Sequence, residues 1–107
     1  MSGRLSLKVP FFLKRRNVIN ASGGEQQIAW VDEGLVWAHV SEGRLARTVE
    51  SEREAQDATH RVIIRRLESV EAGWRLESDG FNLTILAVSQ LPADPRFTKL
   101  LCKEENP

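Results

Sequence analysis

The chain has 107 residues, of which 41% are hydrophobic and 28% charged, the balance of one small folded domain rather than of a disordered segment. Lys+Arg 15 against Asp+Glu 15 leaves a net charge of +0, so no overall positive field draws the chain onto nucleic acid. The one cysteine, Cys102, excludes an internal disulfide, and the apolar runs at 10–13 and 28–31 are too short to cross a bilayer, so we expect a single cytoplasmically folded domain over 1–107 without a membrane segment.

The first predicted element is an apolar segment that a proline interrupts. Apolar and polar residues alternate loosely up to Val9, and Pro10 follows. Because proline cannot donate a hydrogen bond to a sheet, this segment is either an edge strand or an arm leading into one. The apolar residues 11–13 then run into the basic triplet 14–16. That triplet is either a solvated strand end or a contact to phosphate or to an acidic partner.

Two short strands are predicted next, separated by a turn. A loop over 20–27 centres on Gly23–Gly24, a strand covers 28–31, residues 32–34 turn the chain, and a second strand covers 35–40. Val36, Ala38 and Val40 share one face of that second strand, and Leu35, Trp37 and His39 share the other.

Residues 41–57 form a polar insert with only a thin apolar stripe. The segment is rich in Glu, Arg, Ala and Gln and contains no proline. Ser51 followed by Glu54 has the spacing of a capping box, and Glu50 with Arg53 has the spacing of a helical ion pair. We therefore expect a short exposed helix, or a loop that becomes ordered on assembly.

The segment 58–67 contains the strand around which we expect the sheet to form. Its apolar residues Val62–Ile64 are consecutive and β-branched, which suits a strand covered on both faces. We predict a central strand over 59–66. The flanking arginines, which can lay their stems along the sheet and place their charges at its rim, are Arg61, Arg65 and Arg66.

The remaining residues predict more strands and a mainly β fold. The expected order is a strand beginning at 74–76, a tight turn at Asp79–Gly80, a strand over 81–88, a loop bracketed by Pro92 and Pro95, and a last strand over 97–102. Roughly six or seven short strands predict a small antiparallel β-barrel or closed sandwich with one short helical or loop insert.

The sequence offers little from which to build a catalytic or metal site. It has no Gly-rich phosphate loop and no Gly-x-Ser-x-Gly motif, and one cysteine with two histidines does not match a familiar zinc cluster. His39 and His60 are the only histidines that could partner Cys102. We expect Cys102 to be a small buried residue and His60 to be a structural or interface residue. The chain is therefore predicted not to be an enzyme and to need neither cofactor nor metal.

The tryptophans and the acidic residues of the insert permit more than one interpretation. Glu50, Glu52, Glu54 and Asp57 alternate with arginines, which favours a solvated helix over a metal site. The tryptophans all fall on predicted strands. They are either core residues, part of a subunit interface, or a platform on which nucleic-acid bases stack. Their acidic or neutral surroundings do not favour a platform. They are Trp30, Trp37 and Trp74.

Two segments are the most specific motifs of the chain, Val-Trp-Ala-His-Val at 36–40 and Thr-His-Arg-Val-Ile-Ile-Arg at 59–65. The other motifs are Gly23–Gly24, Trp30, Arg47–Ala55, Trp74–Leu76, Asp79–Gly80, Ile85, Val88 and Leu100–Glu104. In this order and spacing, the chain resembles the phage head–tail joining family, also called head–tail adaptor, stopper or head completion proteins. The chain departs from that family at Pro10, where the family usually has an unbroken strand. It also departs at Leu83, where the family usually has an aromatic residue.

The resemblance implies a structural neck protein that forms a homo-oligomeric ring, a hexamer or a dodecamer. Such a ring lies between the portal–adaptor ring on the head side and the tail terminator or tail tube on the tail side. Double-stranded DNA passes through its channel, which the ring lines or seals. The protein would be made in the bacterial cytoplasm and end in the neck of a tailed phage, prophage or gene-transfer-agent particle. A net-neutral chain is consistent with a conduit that does not hold DNA tightly.

Two groups of residues are candidate interaction sites. Because the family's insert lies where a channel gate would be, the candidate channel, gate or docking residues are Arg44, Arg47, Glu50, Arg53 and Glu54. In a ring, each of these charges is repeated, and the positive rings are offset by negative ones. The candidate subunit-interface residues are Trp37, His60 and Arg65.

Three alternative functions remain open at the level of sequence. The first is a ring protein of the tail-terminator type. The second is a nucleic-acid-binding barrel of the oligonucleotide-binding kind, which would bind single strands strongly and in a salt-dependent way. An enzyme is the least favoured, because no nucleophile and base can be paired.

Overall fold

The computed structural model describes residues 6–20, 22–42, 58–67 and 69–105. Its strands are β1 (Val9–Asn20), β2 (Gln26–Glu42), β3 (His60–Arg65), β4 (Arg75–Ser78), β5 (Phe81–Gln90) and β6 (Phe97–Glu104), with a 3-10 turn at Ser22–Gly24. All paired strands are antiparallel, and the sheet closes on itself in the order β1-β2-β3-β6-β5-β4. The predicted small antiparallel β-barrel is confirmed.

Strand β3 has a neighbouring strand on each side, as its consecutive apolar residues predict. Val62 lies opposite Val40 of β2 and opposite Leu100 of β6. Val62 and Ile64 point into the barrel and are 0% and 1% exposed. The central strand expected over 59–66 is therefore confirmed, with bounds that differ by one residue at each end.

The barrel interior is filled by apolar side chains from all six strands and from the segment before β4. Because successive residues of a strand point to opposite faces, Phe11 and Leu13 of β1 and Leu83 and Ile85 of β5 enter the core from alternate positions. Leu83 is fully buried there. The core consists of Phe11, Leu13, Ala38, Val62, Ile64, Val70, Trp74, Leu76, Leu83, Ile85, Leu100 and Cys102.

Strand β2 is one continuous strand, so the expected pair of short strands over 28–31 and 35–40 is wrong. The residues Asp32–Gly34 form a β-bulge rather than a turn. Leu13 lies opposite Gly34 and Lys14 opposite Asp32, which leaves Glu33 as the extra residue. Gly34 has φ 113°, and its N–H donates to the Asp32 carboxylate at 2.9 Å, which stabilises the bulge.

Strand β1 contains both Pro10 and the basic triplet 14–16. Pairing with β4 covers only Phe12–Lys14, so within the described ranges Pro10 has a sheet neighbour only on the β2 side and a missing donor is tolerated. The basic triplet lies in the middle of β1, so the expectation of a strand end is wrong. The reason is that β1 continues to Asn20, where β2 still pairs with it.

The first hairpin extends beyond the barrel. Pairing of β1 with β4 ends at Lys14, and pairing of β2 with β3 begins at Ala38. Among the described residues, 15–20 and 26–31 therefore pair only with each other, and we call this two-stranded ribbon the hairpin extension. The molecule accordingly measures 58 Å along its longest axis and 28 and 27 Å across.

The remaining turn and insert predictions have different outcomes. The Asp79–Gly80 turn is confirmed, since Ser78 lies opposite Phe81 and Gly80 has φ 73°. Strand β2 runs to Glu42, so the first two residues of the predicted insert are strand. The rest of that insert, residues 43–57, lies outside the described residues.

Candidate interaction surfaces

Large apolar side chains lie side by side on the outside of the barrel. Phe12 of β1 lies directly opposite Leu35 of β2, and Trp37 lies opposite Pro10. Their neighbours in sequence point inward, so these residues point outward, where Phe12, Leu35 and Trp37 are 50%, 49% and 50% exposed. We call Phe12, Leu35 and Trp37 the outer apolar patch. Adjacent exposed apolar groups of this size are typical of a surface that contacts another protein.

A groove opens next to this patch, where β2 and β3 diverge. Their pairing ends at Ala38 and Ile64, so the β2 backbone beyond that point has no β3 partner. The resulting groove encloses about 240 Å³. Its lining is mainly apolar, with the exposed Arg65 at its rim. We call it the β2–β3 groove; the lining residues include Leu7, Leu35, Trp37, Ile64, Arg65 and Leu67.

The structure brings together two of the predicted subunit-interface residues. Trp37 and Arg65 both line the β2–β3 groove. His60 is only 4% exposed and lies opposite Cys102, and its ring and that of Phe81 pack in a T-shaped arrangement with centroids 5.3 Å apart. Its Nδ1 lies 2.9 Å from the Thr59 hydroxyl oxygen. His60 is thus a buried residue of the barrel, separate from the surface that the other two share.

The predicted channel residues cannot be placed on these surfaces. Arg44, Arg47, Glu50, Arg53 and Glu54 all lie outside the described residues.

The hairpin extension exposes further apolar residues on both faces. Val18 lies opposite Ile28 on one face, and they are 46% and 50% exposed. Ile19 points to the other face and is 45% exposed. The exposed Glu25 lies in the connecting loop at the tip. A ribbon without a third strand and with apolar groups on both faces is only marginally stable alone, which favours a partner surface.

The base of the hairpin extension is held by charged contacts. Lys14 lies 3.9 Å from Asp32, and Arg15 lies 2.7 Å from Glu33. Two residues of the basic triplet are thus ion-paired within the chain, which reduces the positive charge available to phosphate. Trp30 does not suit the predicted alternative of a base-stacking platform. The Arg75 guanidinium covers its ring, with Cζ 4.3 Å from the ring centroid.

Sequence reasoning did not single out Phe12, Leu35, Val18 or Ile28 as surface residues. A signal was present for Phe12, because the middle residue of Phe11–Leu13 must point away from its neighbours. For Val18 and Ile28 the signal depends on knowing that β1 and β2 pair across the whole hairpin, which the turn expected at 32–34 had hidden.

Among the described residues, the structure provides little chemistry beyond contact surfaces. Burial raises the pKa of the Cys102 thiol to about 12, so the thiol stays protonated at neutral pH. In the same part of the chain, no three or more His, Cys, Asp or Glu side chains are grouped so as to hold a metal ion. None of the helices of the described ranges is long and apolar enough to cross a membrane.

Comparison with solved structures shows that this fold occurs elsewhere. A chain in the virion of a native gene transfer agent particle matches with a TM-score of 0.72 and 17% identity, over 95% of this chain and 98% of that one. Protein SF1141 from Shigella flexneri 2a, solved in solution, matches with a TM-score of 0.65 and 21% identity, over 92% of each chain. No curated protein matches this chain.

The comparison with family models shows the family of the chain, which a shared fold alone does not show. The model of the family described as phage head completion protein matches residues 2–105, nearly the whole chain. The match includes all six strands of the barrel. The resemblance found in the sequence is therefore confirmed, and the chain belongs to the phage head completion protein family.

Proposed function

We propose that this chain is a structural neck protein, which assembles into a ring of identical copies between the head and the tail of a phage-like particle. The family match supports a role in completing the head. The observation that carries the ring is the outer apolar patch, because Phe12, Leu35 and Trp37 are each about half exposed on a barrel that is already closed. A second copy that covers the patch removes this apolar area from water.

The ring would join the portal–adaptor assembly to the tail and surround the DNA. On the family resemblance, the ring is a hexamer or a dodecamer. The alternative is a ring of the terminator type at the end of the tail tube, and electron microscopy of the particle neck distinguishes the two by position. Density for this chain next to the portal–adaptor supports the head-side ring, whereas density at the tail tube supports a terminator.

Particle assembly tests the role of the outer apolar patch directly. In a producing strain that lacks the gene, the wild-type chain should restore tailed particles, and Trp37→Asp should leave DNA-filled heads without tails. Gln90→Asp is the matched control, because Gln90 is an exposed residue of β5 on another side of the barrel. Full yields of tailed particles from Trp37→Asp and from Phe12→Asp would overturn the proposal.

We also propose that the insert contributes to the channel. Its sequence places Arg44, Arg47 and Arg53 among acidic residues such as Glu50 and Glu54, so a ring of copies presents nearly balanced charge to passing DNA. Shortening the segment between 44 and 56 should leave the barrel folded but yield particles that leak DNA or fail to join tails. Shortened variants that give full titres with retained DNA would contradict a channel or docking role.

An oligonucleotide-binding barrel remains the competing function. It requires free positive charge along a groove, whereas Lys14 and Arg15 are paired with Asp32 and Glu33. The isolated protein is therefore expected not to bind single-stranded DNA in fluorescence anisotropy at moderate salt. Tight binding that weakens steeply with added salt would favour this alternative.

A further inference from the structure

One chain carries both a protruding apolar surface and an apolar groove. The protruding surface is the Val18–Ile28 pair on one face of the hairpin extension. The recessed one is the β2–β3 groove of about 240 Å³, beside Leu35 and Trp37. Ile28 of the first surface and Leu35 and Trp37 of the second lie on different parts of β2, separated by the bulge at Glu33. One surface projects from a two-stranded ribbon and the other is recessed between two strands, so the apolar side chains of the first can enter the second.

The charges at these surfaces are complementary as well. Glu25 is exposed at the tip of the hairpin extension, and Arg65 is exposed at the rim of the groove. Within the part of the chain that the structure describes, neither side chain forms an ion pair, whereas Lys14 and Arg15 at the hairpin base do. The acidic tip of the hairpin extension in one copy can therefore pair with the basic rim of the groove in another copy.

We propose that the hairpin extension of one copy docks in the β2–β3 groove of the next copy. Val18 and Ile28 contact Leu35 and Trp37 of the neighbour, and Glu25 approaches its Arg65. This inference rests on the proposed ring and specifies the contact that builds it. Because the two surfaces differ, the interface is head-to-tail, and repeating it produces a closed ring when the rotation between copies closes.

The groove has a further property that suits a ribbon as its occupant. Beyond Ala38, the β2 edge that faces β3 has no strand paired to it among the described residues. The hairpin extension likewise has no third strand. Docking brings unpaired strand edges close to one another, so main-chain hydrogen bonds can add to the apolar contact.

Disulfide trapping in assembled particles tests the contact. In a Cys102→Ala background, a chain that carries both Ile28→Cys and Trp37→Cys should form a ladder of covalent oligomers on oxidation, up to the full number of copies in the ring. Chains with either substitution alone should give no ladder. The matched control pairs Ile28→Cys with Lys103→Cys, which lies at the exposed end of β6 and should not cross-link.

Charge reversal provides a second readout that does not depend on the apolar residues. Glu25→Arg alone and Arg65→Glu alone should each lower the ladder yield by about two- to five-fold, as expected for an exposed ion pair. Combining the two reversals should restore the yield. If the double reversal remains as weak as the sum of the single reversals, the two residues do not meet across the interface.

The outcomes separate this inference from the proposed ring itself. Particles that show a ring of this chain by electron microscopy but give no ladder from the Ile28→Cys, Trp37→Cys chain would overturn the hairpin-to-groove contact and leave the ring intact. Ladders that form equally with Lys103→Cys would also overturn it. Absence of any ring in the neck would overturn the proposed function.

Discussion

The guanidinium of Arg75 lies 4.3 Å from the ring centre of Trp30, so a residue of β4 is stacked on the hairpin extension. The sheet itself connects β4 to β1 only as far as Lys14. This stacking is therefore a contact between the barrel and the ribbon that does not depend on the strand pairing. The same guanidinium donates a hydrogen bond through Nη1 to the Glu77 carboxylate at 3.3 Å.

Removing this stacking should loosen the hairpin extension. We expect Arg75→Ala to lower the free energy of unfolding by roughly 0.5–2 kcal/mol, the range for a partly buried cation over an aromatic ring. Hydrogen exchange at residues 29–31 should become faster at the same time. Urea unfolding measures the first effect, and Arg61→Ala, an exposed residue of β3, is the control that should change neither. Unchanged exchange at 29–31 would mean that the stacking does not hold the ribbon.

Charge in the barrel core should prevent folding. Val62 and Ile85 are 0% and 1% exposed, so Val62→Asp or Ile85→Asp buries an unpaired carboxylate. That costs several kcal/mol against a total stability of about 5–15 kcal/mol. Circular dichroism should show loss of the native spectrum for both variants. Trp37→Asp on the outer surface should remain folded, and a core variant with the wild-type melting temperature would contradict the assigned core.

Hydrogen exchange should be slowest at the centre of β3. The amides of Val62–Ile64 lie in a strand with neighbours on both sides, whereas those of 15–20 lie in a two-stranded ribbon. In the isolated chain, we expect exchange at 62–64 to require global unfolding and exchange in the ribbon to occur by local opening. Comparable rates in the two segments of a folded sample would rule out β3 as the central strand.

A carboxylate in the loop before β6 should give stability a specific acid dependence. Hydrogen bonds from the Arg96 side chain and main-chain N–H lower the pKa of Asp94 from 3.8 to about 2. Because the folded-state pKa is the lower one, ionised Asp94 favours folding above pH 3.8, and this contribution disappears as the pH falls through about 2. Asp94→Asn should therefore melt earlier than wild type at neutral pH. The difference between their melting temperatures should vanish near pH 2, and a difference that persists there would contradict the ionic origin.

The buried thiol should be inert in the folded protein. Cys102 is 0% exposed, and burial raises its pKa to about 12. Ellman's reagent should therefore label the native chain very slowly and label it fully in denaturant. Ile28→Cys adds an exposed thiol and should be labelled at once, which verifies the assay. Rapid labelling of the wild-type chain under native conditions would mean that Cys102 is accessible.

The strand content and the centre of the barrel could be predicted because they depend on local patterns. Consecutive β-branched residues at Val62–Ile64 indicate a strand covered on both faces, and Asp79–Gly80 specifies a two-residue hairpin turn. The bulge could not be predicted in this way. Asp32–Gly34 has the composition of a turn, and a glycine with positive φ serves a turn and a bulge equally well. Only the pairing with β1 decides between them.

The outer apolar patch was hidden for a different reason. Alternation along β2 separates Val36, Ala38 and Val40 from Leu35 and Trp37, and the structure confirms that separation. Both sets are apolar, so the pattern does not tell which one enters the barrel. The set with the larger side chains points outward, against the usual preference of tryptophan for the interior. The interface prediction for Trp37 depends on the enrichment of tryptophan at subunit interfaces rather than on this pattern.

The bulge at Glu33 sets the direction in which the hairpin extension leaves the barrel. A bulge bends its strand and increases the local twist. This single extra residue therefore determines the angle at which the hairpin extension, about six residues long on each strand, projects from the barrel. If neighbouring copies contact each other through the hairpin extension, the same angle is repeated at every subunit interface. A change of a few degrees in the backbone angles at Gly34 then changes the rotation between neighbouring copies. That rotation determines whether the ring closes and how many copies it contains.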